Sequence, residues 1–367
     1  MCLLLVIFSL IIYEYKIIYD IGFIYSICTV GGIILCNNYI NHDNKLISSF
    51  RLSLVAFIFS LPISLSSFYE VNLLSIIYNM IFVPYVSIIV YPLSLISFII
   101  PSLSFIFSLS IKLLEVCSSY LSTIRFFSIY LDFNMVEIII YYIVTIFMFY
   151  KNEYKLSILL ILIVIIDIMI PYLDSNYYVY YFDVGQGDSS LIISPYRKDI
   201  ILIDTGGIYG RNVSDNYLNY MKSEGITRID YMILSHGDFD HMGDASYVID
   251  NIDVDNVIFN CGPYNDLEKE LIKVLDKKHI KYYSCIDELN IYDNKLYFIN
   301  DNIYDNENDN SSVIYSSFYG RSLLFMGDAG RVVEKDIIDR NRLGFDDCSF
   351  KGEEYHGQKR KRKISHE

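Results

Sequence analysis

Tryptophan is absent from the 367 residues, and histidine (6), proline (7) and cysteine (7) are scarce. The missing tryptophan accompanies abundant Ile, Asn, Tyr and Lys, a compositional bias that excludes no function. Cys2, Cys28, Cys36, Cys117, Cys261, Cys285 and Cys348 form no CxxC pair and follow no regular spacing. Neither a zinc knuckle nor a disulfide framework is therefore expected. Positive charge is scarce early in the chain: Lys16, Lys45, Arg51, Lys112, Arg125, Lys151 and Lys155 are the only basic residues up to position 173.

What fills that first half is apolar. Hydrophobic residues make up 53% of the chain and the mean hydropathy is +0.34. Acidic residues become frequent beyond residue 173, where most of the net charge of −14 accumulates. An α-helical multi-pass membrane bundle over 1–173, followed by a solvated acidic domain, explains the contrast. Residues 1–12 lack a basic leader and a small-residue cleavage site, so they read as a membrane segment rather than a signal peptide.

A hydrocarbon core of about 30 Å needs roughly 20 apolar residues per helix. Candidate spans are 1–13, 17–36, 48–68, 71–91, 93–114, 135–150 and 156–173. Pro62, Pro84, Pro92 and Pro101 fall within or between them. Packing kinks are the plainer explanation, and a broken helix lining a path is the sharper one. Lys45 and Arg51 flank one loop, and Lys151 and Lys155 lie in another. If both face the cytoplasm, the intervening spans alternate, and 115–134 lies outside as an amphipathic surface segment. The span at 156–173 then runs outward and puts 174–367 on the external face. Asp167 lies near enough to a span end to reach the interface, and Asn79 is expected to face a neighbouring helix or a cavity.

From residue 177 the pattern changes to short strands and turns. Runs at 177–183, 189–194 and 199–204, broken by Gly185-Gln186-Gly187-Asp188 and Thr205-Gly206-Gly207, read as a β-meander. A helix at 213–224, a strand at 229–235, a helix at 267–278 and strands at 257–260, 295–299, 311–318 and 322–326 follow, a mixed α/β pattern.

The loop His236-Gly237-Asp238-Phe239-Asp240-His241 places four metal-capable side chains within six residues, directly after a buried strand. Two of the six histidines of the chain lie here, which a solvated polar turn does not explain. Imidazole and carboxylate suit a divalent ion. His236 and Asp238 can hold one ion while Asp240 and His241 turn to a second, and two ions about 3.5–4 Å apart clamp attacked and leaving oxygens. Asp328, at a strand end after Gly327, is the natural companion ligand. Asp204, at the end of an earlier strand, is expected to orient a ligand imidazole.

In order, Phe182-Asp183-Val184-Gly185-Gln186-Gly187-Asp188, Ile201-Leu202-Ile203-Asp204-Thr205-Gly206-Gly207, the His236–His241 loop, Asn308-Asp309-Asn310-Ser311-Ser312 and Met326-Gly327-Asp328-Ala329 resemble the metallo-β-lactamase superfamily. Asp238, where many relatives carry His, and the stretch 79–95 with Val83-Pro84 and Pro92 resemble the ComEC-type competence proteins that import DNA. The resemblance implies a membrane bundle over 1–173, an αββα metallo-β-lactamase-like domain over 174–345 and an atypical basic tail over 346–367. It implies His236, Asp238, Asp240, His241 and Asp328 as ligands of two ions, Zn²⁺ or Mn²⁺, with Asp328 bridging. Asp240 and Asp328 are then the catalytic carboxylates, and Asp183 joins Asp204 behind the ligands. Single- or double-stranded DNA is the implied substrate, the lipid bilayer and other DNA-uptake proteins the implied partners, and the bacterial membrane the implied location.

Two departures stand out. The family begins with a soluble domain and further membrane helices not found here, and it ends with a His-His-Gly-Ser ligand segment. This chain instead has Glu354-Tyr355-His356-Gly357-Gln358 and then Lys359-Arg360-Lys361-Arg362-Lys363, as if shortened at both ends. His356 as a remnant ligand is the weaker reading. The basic run reads as a solvated tail before it reads as a DNA contact. A tethered hydrolase acting on a small phosphoester, and a non-catalytic remnant of the channel, are the competing functions.

Overall fold

The computed structural model describes residues 2–124, 127–340 and 361–364. The chain divides into two compact units, the first essentially 1–167 and the second most of the remainder.

The first unit is built on helices because its sequence is dominated by aliphatic runs with few charges. Among the described residues four are long and apolar enough to cross a membrane: Lys45–Phe68, Ser75–Ile99, Pro101–Leu121 and Tyr154–Leu173. Cys2–Tyr13 (12 residues), Ile21–Leu35 (15) and Met135–Lys151 (17) are shorter than the roughly 20 residues a span needs. Local polar residues fix the starts. Asn44 accepts from the Leu46 N–H, and Asn134 with Glu137 forms a reciprocal cap ahead of Met135–Lys151. Large apolar side chains such as Phe98, Ile99 and Phe105 are exposed on these helices, as lipid-facing side chains are.

Three expectations need correction here. The spans expected at 71–91 and 93–114 are redistributed: Ser75–Ile99 is continuous across Pro84 and Pro92, and Pro101 opens the next helix. A single π turn at Val86–Val90 lies between the two prolines. Residues 115–134 are not one surface segment: the first part continues the helix to Ser122. The last part forms strand β2 (Ser128–Tyr130), antiparallel to β1 (Glu70–Asn72). The side chain of Asn72 donates to the Ile124 carbonyl and to Ser128 Oγ, so it serves this hairpin-like closure.

The second unit is a four-layer α/β/β/α arrangement. Strands β3 (Tyr177–Tyr181), β4 (Ser190–Ile193) and β5 (Ile200–Ile203) form the expected meander. The sheet then turns parallel through β6 (Arg228–Ile233), β7 (Asp253–Phe259) and β8 (Lys281–Ser284). A second, antiparallel sheet holds β9 (Glu288–Ile291), β10 (Asn294–Phe298), β11 (Ile314–Phe318) and β12 (Arg321–Phe325). Side chains alternate across the first sheet as the period of two requires. Leu191, Ile193, Ile200, Leu202, Val257 and Phe259 face helices Asp215–Ser223, Ala245–Asn251 and Asp266–Lys278. Ile192, Ile201, Ile203, Ile233 and Ile258 face the second sheet through Leu296, Ile314 and Phe318. Helix Arg331–Asp339 covers the far face of the second sheet with Val333 and Ile337.

Cys261 and Cys285 form a disulfide, contrary to the expectation of none. Their spacing of 24 residues carries no signature in sequence, but the fold explains it. Phe259 pairs with Ser284 across parallel β7 and β8, so the residues just beyond both strand ends emerge side by side. The tail is the other correction: β13 (Lys361–Ile364), within the basic run, pairs antiparallel with β3 rather than trailing as a solvated segment. His356 lies outside the described residues.

Candidate metal centre

Parallel strands β5, β6 and β7 end at one edge of the sheet, the place where open α/β sheets collect ligands. There Asp204 follows β5, Ser235 and His236 follow β6, and Asn260 follows β7. The end of β12 brings Asp328 to the same place. His236, His241 and Asp328 each offer a donor atom, and these atoms all lie within 4.8 Å of one another. Ligands about 2.1 Å from a common ion sit roughly 3–4 Å apart, so the group is of coordinating size.

The protons can be assigned from the hydrogen bonds. Asp204 is buried, in left-handed backbone (φ 56°), where a short polar side chain is tolerated. Its Oδ1 accepts from the Ser235 N–H (2.7 Å). Its Oδ2 accepts from Ser235 Oγ (2.7 Å) and meets His241 Nδ1 at 3.0 Å. That acceptor-only carboxylate fixes the His241 proton on Nδ1 and turns Nε2 towards Asp328 Oδ1, 3.1 Å away. Burial disfavours a charged ring, but the carboxylates of Asp204 and Asp328 outweigh it and hold the His241 pKa at about 10. Hydrogen bonding to His241 holds Asp328 below its ordinary value despite partial burial.

His236 is prepared differently. Its Nδ1 lies 3.0 Å from Ser235 Oγ and 3.3 Å from Ser311 Oγ. The Ser235 hydroxyl proton is directed at Asp204, and that of Ser311 at the Asn308 carbonyl (2.6 Å). Both hydroxyls can therefore only accept, so Nδ1 is the N–H and Nε2 carries a lone pair. That Nε2 is buried with no hydrogen-bond partner among the described residues. Asp238 Oδ2 lies 3.5 Å from it, within reach of a shared ion. Burial, followed by the neighbouring His241 charge, pushes His236 below its ordinary pKa, so the ring is neutral. A buried imidazole lone pair without a donor fits a cation, and the structure thus meets the chemistry of a metal ligand.

The other expected residues divide. Asp240 lies in the short helix Phe239–Met242 between the two histidines, but outside the group of donor atoms just described. The expected five-ligand, two-ion set is thus brought together only for His236, His241 and Asp328, with Asp238 adjoining. The carboxylate of Asp183 accepts from the Gly185 N–H and caps that turn. The carboxylate from this segment that feels the site is Asp188, five residues on. Burial and then the Asp204 charge hold it above the ordinary carboxylate range. Ser235 and Ser311 also escaped sequence reasoning. Both lie within segments already noted, but nothing in their spacing reveals that they set a tautomer.

Close backbone approach holds the loop in place. A Cβ on Gly187, itself at φ +80°, would stand 1.7 Å from the Asp240 carbonyl oxygen. One on Gly207 would stand 2.0 Å from that of Phe239. On the other side, the Asn265 side chain donates to the Gly237 carbonyl (2.7 Å) while capping helix Asp266–Lys278.

Residues 1–155 match the family described as Competence protein, and residues 182–358 match the metallo-beta-lactamase superfamily. A competence match followed by a metallo-beta-lactamase match is the arrangement of a ComEC-type protein. The chain is 22% identical over 357 residues to ComE operon protein 3 of Bacillus subtilis (strain 168), across 88% of this chain and 46% of that protein. It therefore spans about half the length of the curated relative it matches. The competence match and the four apolar helices make this a membrane protein, and the superfamily of the second unit is one of divalent-metal proteins.

Proposed function

We propose that the chain is part of a bacterial DNA-uptake machine whose C-terminal domain is a metal-dependent phosphodiesterase acting on DNA at the external membrane face. The observation that carries the catalytic reading is the bare, buried Nε2 of His236 beside a His241 whose Nδ1 proton is locked on Asp204. His236, His241 and Asp328 would hold a divalent ion, with Asp238 beside His236 and Asp240 available to a second. Held there, a divalent ion would supply Lewis-acid polarisation of a phosphoryl oxygen and a lowered pKa for water. Asp204 keeps the His241 donor atom facing inward, and the Ser235 and Ser311 hydroxyls do the same for His236. Zn²⁺ and Mn²⁺ both suit a donor set of imidazole and carboxylate.

Three observations support the external placement. Arg51 lies 5.0 Å over the Tyr39 ring, which packs at 5.2 Å against Tyr154. The Lys45–Arg51 and Lys151–Lys155 basic residues therefore share one end of the helical unit, the end expected to be cytoplasmic. The 20-residue helix Tyr154–Leu173 starts at that end and is long and apolar enough to cross a membrane, which would take the chain after it to the opposite face. The Cys261–Cys285 disulfide suits an oxidising compartment.

The test is cleavage of a DNA duplex and single strand by the full chain in detergent micelles with Mn²⁺, compared with His241→Ala. Cleavage lost in the variant supports the proposal. Stoichiometric metal with turnover of a small phosphodiester and none of DNA would favour the tethered small-substrate hydrolase instead.

A further inference from the structure

One aromatic pair beside the metal loop has no part in the core. Tyr209 is 82% exposed. Its ring lies flat on that of Phe239, with centroids 4.0 Å apart and planes inclined by only 7°. Phe239 is the residue between Asp238 and Asp240, so the stack stands on the metal loop itself. Tyr209 sits at the tip of a tight turn closed by the Arg211 N–H to the Ile208 carbonyl (3.2 Å), with Gly210 in left-handed backbone (φ +81°). The turn is clamped below by Gly207, which admits the Phe239 carbonyl. One face of the tyrosine ring is therefore fixed by its partner, and its exposure leaves the other to solvent. Arg211, two residues on, is exposed as well.

We infer that the Tyr209–Phe239 stack is a platform for one unpaired nucleobase of the strand whose phosphate enters the metal centre. This rests on the phosphodiesterase reading above and adds the substrate class, a strand with unstacked bases. The net charge of −14 argues against general Coulombic capture of a polyanion. Affinity must then come from local contacts, and stacking of a base on a fixed aromatic ring is neutral, tolerant of sequence and compatible with an acidic surface. Arg211 supplies a cation at the turn for an adjacent phosphate.

Because the chain lacks tryptophan, Tyr209→Trp places a single indole reporter in the platform. Full chain in detergent micelles with Mn²⁺ is titrated with a non-hydrolysable phosphorothioate oligothymidylate and with an abasic oligomer of the same length. The oligothymidylate is expected to quench the indole, and the abasic oligomer to leave it unchanged. In the tryptophan-free background, Tyr209→Ala is expected to weaken oligothymidylate binding about tenfold or more without changing abasic binding, whereas Tyr209→Phe stays within about twofold. Equal quenching by both oligomers, or a Tyr209→Ala variant that binds oligothymidylate as wild type does, overturns the platform. If Tyr209→Ala binds normally while the wild type cleaves DNA, the platform alone fails. Base-dependent binding without any cleavage sustains the platform and refutes the hydrolase.

Discussion

Asp204→Asn tests the way the site prepares His241. The amide keeps the volume and one oxygen, which can still accept from the Ser235 N–H at 2.7 Å. The other position becomes an NH₂ donor facing two groups that now donate to it, Ser235 Oγ and His241 Nδ1. In the wild type an entering ion would take the place of the Nε2 proton while Nδ1 keeps its own on Asp204; with the amide the neutral ring carries its proton on Nε2 instead, and no lone pair is offered beside Asp328. Loss of a buried charge-assisted acceptor costs roughly 1.5–3 kcal/mol. Replacing a carboxylate behind a ligand imidazole weakens metal binding about 10–100-fold, or about 1.4–2.7 kcal/mol. The expected result in the full chain, read by chelator competition, is a dissociation constant for Mn²⁺ raised within that range. Asp183→Asn, at a carboxylate that caps the Gly185 turn, is expected to change it by less than about twofold. Equal affinities for wild type and Asp204→Asn would refute the tautomer argument.

Gly187→Ala is expected to destabilise the C-terminal unit by more than about 3 kcal/mol, because a Cβ there meets the Asp240 carbonyl oxygen at 1.7 Å. Gly210→Ala shares a positive φ but has nothing within 4 Å, so about 1 kcal/mol is expected, and chemical denaturation distinguishes the two. Glu268 is buried, which raises its pKa from 4.5 to about 7. Its contribution to stability is therefore full below pH 4.5 and is lost as pH rises through about 7. The loss amounts to at most about 3 kcal/mol. Glu268→Gln is expected to flatten that decline in denaturation midpoints measured across the window. Cys261→Ser, opening a loop closed across 24 residues, is expected to lower stability by about 3 kcal/mol under oxidising conditions. The same substitution is expected to have little effect in reductant.

The elements most legible in the sequence were those fixed by local patterning. The meander through Ile200–Ile203, the strand feeding His236 and the helix expected at 267–278 follow from short apolar runs and the turn residues between them. The far edge of the first sheet was not visible, since β8 (Lys281–Ser284) is exposed there and lacks an apolar run. Span boundaries slipped by several residues where Pro84 and Pro92 suggested breaks, because a π turn lets the helix pass both. At the site, the donors of a cation were legible as residue types, but their grouping was not. His241 and Asp328 are 87 residues apart, and only the ends of two sheets bring them to 3.1 Å. The orienting hydroxyls of Ser235 and Ser311, and the disulfide, depend wholly on that convergence.

Metal stoichiometry by equilibrium dialysis of the purified full chain against Mn²⁺ and Zn²⁺, alongside His236→Ala and Asp328→Ala, bears most directly on the catalytic reading. At least one tightly held ion per chain in the wild type, and its loss or severe weakening in each variant, is the expected result. A wild type that retains no divalent ion, or variants that retain it unchanged, would contradict a metal centre at His236, His241 and Asp328.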